Sequence, residues 1–209
     1  MSTSIRRRGK RAYHHADLRP ALLAAARRML ERDGPAALSL REVARRAGVS
    51  HNAPYRHFAD RAALLAALAA EGFAALADRL RDATARAPPA GRLGASGAAY
   101  VRFALDEPNL FRLMFGGLVR GRDHPELAGA AARAYAQLAG ETGAGPDAGP
   151  RTVAAWATVH GLAHLLLDEQ IPLARGDRAA ADRLIERVLG GPARGAEAAE
   201  QPKPGADGA

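Results

Sequence analysis

The sequence predicts an all-α protein: an N-terminal helix-turn-helix three-helix domain followed by a C-terminal helical domain. Three observations carry that prediction. Hydrophobic residues make up 48% of the 209 positions but aromatics only 5%, and the alanine-rich remainder favours helix over strand. Leucines and alanines recur at helical spacing between Gly and Pro breakers. The stretch "REVARRAGVSHNAPYRHF", Arg41 to Phe58, reads as two short helical runs hinged at Gly48.

The elements follow in order. Residues 1–15 hold Arg6, Arg7, Arg8, Lys10 and Arg11 with no acid, a basic arm expected to stay disordered until it meets a partner. A first helix is expected from Asp17 to Arg32, with Leu18, Leu22, Ala25 and Met29 on one face and Gly34-Pro35 as its stop. Ser39 and Glu42 form a capping box, S-L-R-E, that opens a second helix through Ala47. Gly48 permits a tight turn, and Ser50 is placed to cap a third helix. Asp60 caps a long fourth helix whose Leu64, Leu65, Leu68, Leu76 and Leu80 lead toward Pro88-Pro89. Further helices are expected near 92–105, 108–115, 125–140, 151–169 and 178–189, divided by Gly116-Gly117, the loop "TGAGPDAGP" and Ile171-Pro172. The tail, 191–209, is rich in Gly, Pro, Ala and Glu and is expected to be disordered.

Charge placement narrows the function. Through Arg61 there are 14 Lys+Arg against 5 Asp+Glu, leaving 16 against 17 in the remainder of a chain whose net charge is +8. All the excess positive charge therefore lies in the first third, as in a polyanion-binding part joined to a neutral one. There is no cysteine, which excludes disulfides and thiolate metal sites. The basic N-terminus lacks a following apolar region, and the apolar run Ala62 to Ala70 stops at Glu71, too short to span a bilayer. A soluble, cytoplasmic protein without membrane association is expected.

The opening motif has the physical requirements of a DNA-reading helix-turn-helix. Val43, Ala44 and Ala47 are small or apolar, so the second helix can pack closely under the third, with Val49 at the junction. The third helix then presents Ser50, His51, Asn52, Tyr55, Arg56 and His57, and in this motif the front of that helix lies in the major groove. Pro54 falls near the end of the first turn, where proline costs few hydrogen bonds, and is expected to face the sugar–phosphate wall. A generic helical hairpin is the plainer reading. The local basic excess, the cap at the right offset and the polar second helix coincide in one segment, which favours DNA.

Residues 16–65, with "LSLREVARRAGVSHNAPYRHFADRAALL", resemble the DNA-binding domain of TetR-type transcriptional regulators. "WATVHG", Trp156 to Gly161, resembles the Trp-His-Gly motif of one TetR subgroup, and "PNLFRLMFG", Pro108 to Gly116, fits the same subgroup. The resemblance implies a homodimer on a palindromic, double-stranded operator and a small-molecule effector that releases repression. It places Ser39, Arg41, Ser50 and Tyr55 among the phosphate contacts and His51, Asn52 and His57 among base or groove contacts; Arg41, Arg56 and Arg61 with the basic arm are expected to neutralise phosphates. Arg61 stands where the family often has lysine and keeps the positive charge at that helix N-terminus. The implied division is 1–15 arm, 16–62 DNA-binding domain, 63–190 effector-binding and dimerisation domain, and 191–209 tail. Phe58 is expected in the core.

A second site is expected in the C-terminal domain. Trp156, His160, His164 and Asp168 share one helical face. An indole and imidazoles suit the wall of an apolar pocket, with Phe103, Phe111, Met114 and Phe115 as lining, although an ordinary core uses the same residues. Metal binding by His160, His164 and Asp168 is disfavoured, because one helix offers at most three ligands and Leu165 to Leu167 suggest packing. No cofactor is implied. Leu162, Leu166, Leu184 and Val188 offer a four-helix seam for dimerisation. No Ser/His/Asp arrangement, Gly-rich phosphate loop or HExxH motif points to an enzyme. The alternatives are a ligand-independent architectural DNA-binding protein and a DNA-processing enzyme with a helix-turn-helix.

Overall fold

The computed structural model describes residues 18–143, 149–173 and 176–190. The basic arm, the tail and most of the "TGAGPDAGP" loop lie outside the described residues. Within them every regular element is helical: α1 Leu18–Asp33, α2 Leu40–Ala47, α3 Arg61–Arg86, α4 Arg92–Asp106, α5 Pro108–Phe115, α6 Pro125–Thr142, α7 Pro150–Leu167 and α8 Arg178–Leu189, with short 3-10 turns between some of them. Among the described residues no helix is long and apolar enough to cross a membrane. The described residues fall into two compact units, drawn from Met1–Ala75 with Glu107–Ala134 and from Leu76–Asp106 with Tyr135–Ala209.

In the first unit α1 buries Leu18, Leu22, Ala25 and Met29 as its spacing predicts, and Leu23, Ala26 and Leu30 beside them. Leu64 to Ala70 of α3 are all buried, so this stretch is enclosed on every side. Alanine makes that enclosure feasible, because it lets neighbouring backbones come close. Gly72 extends the same logic: a Cβ there would lie 2.6 Å from Met114 Sδ and 3.1 Å from Leu110.

Polar stitching holds α5 on α1. Arg27 pairs with Glu107 at 2.9 Å, Asn109 Nδ2 donates to the Glu31 carbonyl at 2.9 Å, and the Leu110 amide donates to the Glu31 carboxylate at 2.9 Å. Helix N-termini leave amides without intrahelical partners, and Glu31 supplies the cap that Glu107, with no capping hydrogen bond of its own, does not. Burial pushes the Glu31 carboxyl above 4.5, while the Leu110 amide pulls it back.

The caps read from sequence are present in part. Ser39 Oγ accepts from the Glu42 amide at 3.2 Å, and Asp60 accepts from the Ala63 amide at 2.8 Å. The Glu42 side chain does not reach back to complete the capping box. It takes hydrogen bonds from Arg45 at 2.8 Å and Arg46 at 2.9 Å instead, two guanidiniums within one helical turn.

In the second unit α4 packs on α7 and α8, and glycines set the approach. A Cβ on Gly97 would meet Val159 at 3.0 Å, and one on Gly94 would lie 2.4 Å from the Leu189 carbonyl oxygen. Asp106 pairs with Arg79 at 2.6 Å and Arg178 at 2.9 Å, while Asp182 pairs with Arg102 at 2.7 Å. Asp177 caps α8 through the Ala180 amide at 2.8 Å. Leu162, expected in a dimer seam, is instead 7% exposed and buried in its own unit. Helical spacing gave its stripe but not the stripe's rotation. The large apolar side chains that α7 and α8 leave outward are Val153, Trp156, Leu165 and Val188.

Two stability outcomes follow from these contacts. Gly94→Ala drives a methyl into a backbone carbonyl that no rotamer can move, so it should destabilise the protein by about 1–3 kcal/mol. At this chain length that lowers the thermal midpoint by roughly 2–4 °C per kcal/mol, read by circular dichroism. Ser39→Ala, measured without DNA, should shift the denaturation midpoint by about 1 kcal/mol through loss of the α2 cap.

Candidate nucleic-acid interface

The segment between α2 and α3 is built from backbone constraints outward. Gly48 adopts the left-handed conformation, φ 70° and ψ 28°, which closes α2 without the steric penalty that other residues carry there. The Val49 amide then bonds the Ala44 carbonyl at 3.0 Å, returning the chain toward α2. The expected third α-helix is a 3-10 turn over Ala53–Arg56, preceded by a turn at His51 and Asn52. Ser50 is not its cap: that position is Asn52, which makes no capping hydrogen bond.

Pro54 gives the physical reason. An α-helix starting at Ser50 needs the amide of residue 54 to bond the Ser50 carbonyl, and proline has no N–H. The carbonyl takes the Ala53 amide instead, at 3.0 Å, the shorter-range bond of a 3-10 turn. Pro54 is also buried rather than turned toward the sugar–phosphate wall. Its ring anchors the turn from inside, as does Phe58 at 2% exposure, with the Arg19 guanidinium 5.7 Å from the Phe58 ring centre.

Inward anchoring turns the polar residues outward. Ser50, His51, Asn52, Tyr55 and Arg56 are exposed, Tyr55 by 55%, and His57 is half-buried beside Phe58. Ser39 and Arg41 are exposed at the start of α2. A serine hydroxyl that accepts from an amide still carries its own proton, so Ser39 can cap α2 and donate to a phosphate oxygen. Arg61 is more committed: Nε donates to the Leu38 carbonyl at 2.8 Å and a terminal nitrogen to the Pro35 carbonyl at 2.6 Å. The guanidinium braces the loop before α2 while keeping its charge, a double contact that a lysine ammonium does not reproduce. Arg45 and Arg46 converge on Glu42, whose carboxyl they pull down to about 2.

The C-terminal candidates divide between the units. Phe111, Met114 and Phe115 belong to the first, where Phe115 lies 5.1 Å from Phe73 and 4.9 Å from Phe111 between ring centres. Phe103, Trp156, His160 and His164 belong to the second. Phe103 is fully buried with the Arg79 guanidinium 5.2 Å from its ring. Trp156, His160 and His164 form a stack along α7, with ring centres 5.9 Å and 4.7 Å apart. His164 approaches Asp168 at 3.6 Å, and no cluster of three metal-ligating side chains is found among the described residues. Sequence reasoning missed Tyr100, whose hydroxyl lies 2.9 Å from His160 Nδ1 and accepts from Trp156 Nε1 at 3.3 Å. Nothing in the pattern of α4 marks it, because its partners lie 56 and 60 residues away.

Comparison with known proteins agrees with this architecture. The family profile for bacterial regulatory proteins of the tetR family matches residues 22–68, and that for the tetracyclin repressor-like C-terminal domain matches residues 93–188. A protein of unknown function from Rhodococcus sp. RHA1 is 36% identical, with 86% of this chain and 99% of that chain covered at a TM-score of 0.69. A TetR-family transcriptional regulator from Streptomyces coelicolor is 26% identical over 85% of this chain and 98% of its own, at 0.58. A TetR/AcrR-family regulator from Thermobifida fusca shares the fold at 0.61, with 20% identity and coverage of 83% and 94%. No curated protein matches. Both profiles describe regulators, which removes the DNA-processing enzyme from the alternatives. With the two profiles matched in chain order over a helix-turn-helix and a helical C-terminal domain, the chain belongs to the TetR family of DNA-binding transcriptional regulators.

Proposed function

We propose that the chain acts as a cytoplasmic homodimeric repressor of the Trp-His-Gly subgroup, released from a palindromic operator by a small molecule. One observation carries the DNA half of this reading: the polar stretch Ser50 to Arg56 stands exposed on a turn fixed by left-handed Gly48 and buried Pro54. Rigid presentation of polar side chains is what base-edge and phosphate recognition require. In this assignment Ser39, Arg41, Ser50, Tyr55 and Arg56 meet phosphates, His51, Asn52 and His57 meet the groove, and Arg61 contributes charge from its brace. The exposed Val153 and Leu165 of α7 and Val188 of α8 support a dimer through these helices. Trp156, His160 and His164 border that apolar face and are assigned to the effector. Release requires the effector to bind the DNA-incompetent state more tightly, since equal affinity for both states shifts nothing.

Titration of duplex DNA at increasing salt tests the reading. Six to ten neutralised phosphates per bound protein should cost about 10³–10⁵ in affinity between roughly 50 and 200 mM salt. Absence of affinity for any duplex at low salt overturns the assignment. Tyr55→Ala should lower operator affinity about tenfold, about 1.4 kcal/mol, and change the thermal midpoint much less than a core truncation does, because more than half of the residue is exposed. Wild-type affinity in that variant takes Tyr55 off the DNA surface.

A further inference from the structure

In the second unit, α4, α6 and α7 contribute a cluster of rings and hydroxyls. Tyr135 of α6 packs edge-on against Trp156, 6.2 Å and 79° apart, and Tyr100 of α4 does the same to His160 at 6.3 Å and 64°. Trp156 and His160, then His160 and His164, repeat the tilted arrangement along α7. This herringbone is the geometry aromatic quadrupoles prefer, and a further flat ring can extend it. The stripe runs along the boundary of α7, between buried Val159 and Ala163 and exposed Val153 and Ala157, so it is reachable from one side.

Two hydroxyls on the same unit's helices, one on α4 and one on α6, are buried without a hydrogen-bond partner: Ser96 Oγ, in a residue 1% exposed, and the Tyr135 hydroxyl. Ser96 lies one turn before Tyr100, so both side chains project from the same face of α4. A buried hydroxyl left unsatisfied costs free energy comparable to a lost hydrogen bond, and two in one region require an explanation. Tyr100 contrasts with them. Its hydroxyl accepts the indole N–H, and its proton is satisfied by His160 Nδ1 when the imidazole is neutral and protonated on Nε2.

We propose that this cluster binds an uncharged aromatic compound bearing a group that both donates and accepts hydrogen bonds, such as a phenol or carboxamide, with Ser96 and Tyr135 as its polar anchors. The inference deepens the effector reading above and rests on it for the link to operator release. The anchors are hydroxyls, each able to donate and to accept, so a group with both capacities can meet both sides of each, where a purely accepting ion meets only their protons. Burial raises the Tyr100 hydroxyl well above its ordinary pKa and lowers the His160 imidazole, with His164 adding to the latter. An environment that disfavours charge of both signs also disfavours an ionic ligand.

Trp156 is the chain's single tryptophan and reports on the cluster through its emission. Full-length protein is titrated with 4-hydroxybenzamide, benzoate, benzylammonium and cyclohexanecarboxamide, with operator affinity measured in parallel. The expected result is a saturable emission change with 4-hydroxybenzamide and binding at least about tenfold weaker for the other three, about 1.4 kcal/mol. Ser96→Ala and Tyr135→Phe should each weaken that binding about fivefold, the value of one hydrogen bond. Without ligand, Ser96→Ala should leave the thermal midpoint unchanged or raised, because it removes an unsatisfied group. Equal binding of benzoate overturns the proposal, as does no saturable change with any of the four. So does a Ser96→Ala variant of lowered stability and unchanged affinity, the signature of a hydroxyl satisfied by internal water. A compound that releases operator with no Trp156 response also overturns it, while leaving the repressor reading standing. Binding of 4-hydroxybenzamide with the expected variant effects but no change in operator affinity upholds the site and counts against effector release.

Discussion

Close approach between helices, set by small residues, is the constraint on which both units depend. In the first, the run Leu64 to Ala70 is enclosed because alanines keep α3 narrow there, and Gly72 admits Met114 and Leu110 against its backbone. In the second, Gly94 lets α4 meet the backbone at the end of α8, and Gly97 lets it meet the Val159 side chain of α7. Close packing at native density leaves little room for adjustment, so side chains at these crossings are fixed in position. The alanine-rich, aromatic-poor composition is therefore a packing strategy as much as a helix propensity. The few large rings are consequently left for particular places: beside α5, under the recognition turn and along α7.

The recognition turn shows how a local backbone rule sets a functional surface. Removing one N–H at position 54 trades an α-helical start for a 3-10 turn, and burying the proline ring fixes which way the turn faces. Five polar side chains point outward as a result, without any one of them needing a partner to orient it. The arginines around them are sorted by the same economy. Arg45 and Arg46 are held by Glu42 and Arg61 by two carbonyls, while Arg41 and Arg56 stand exposed on the outer surface.

Much of the fold was legible because helix ends are written locally. Ser39, Asp60 and Asp177 cap where such residues cap, Gly34 and Gly48 stop where a positive φ is needed, and outside the recognition turn the expected ends differ from those observed by no more than about two residues, the usual scatter of such assignments. The candidate site was legible to the extent that it is contiguous, from Ser39 to Arg61. What escaped were contacts across the chain: Glu31 on the end of α5, Arg61 on the loop carbonyls, and Tyr100 between Trp156 and His160. Periodicity identifies a helix's faces but not which neighbour each will meet, which is also why Leu162 was placed outward. Proline at 54 was visible, yet its two effects, on hydrogen bonding and on burial, act together only once Phe58 and α1 are in place.

The stitching of α5 to α1 has a consequence for how the protein comes into being. Glu31 emerges from the ribosome long before Leu110, and Arg27 long before Glu107, so the contacts that complete the first unit have high sequence separation. Synthesis proceeds from the N-terminus, and units finish when their last element arrives. The DNA-reading end, encoded first, is thus finished late. A nascent or truncated chain ending before α5 carries the recognition residues on an α1 that lacks its partners at Arg27 and Glu31. Completion of the unit that carries the recognition turn therefore waits for a segment encoded well past it.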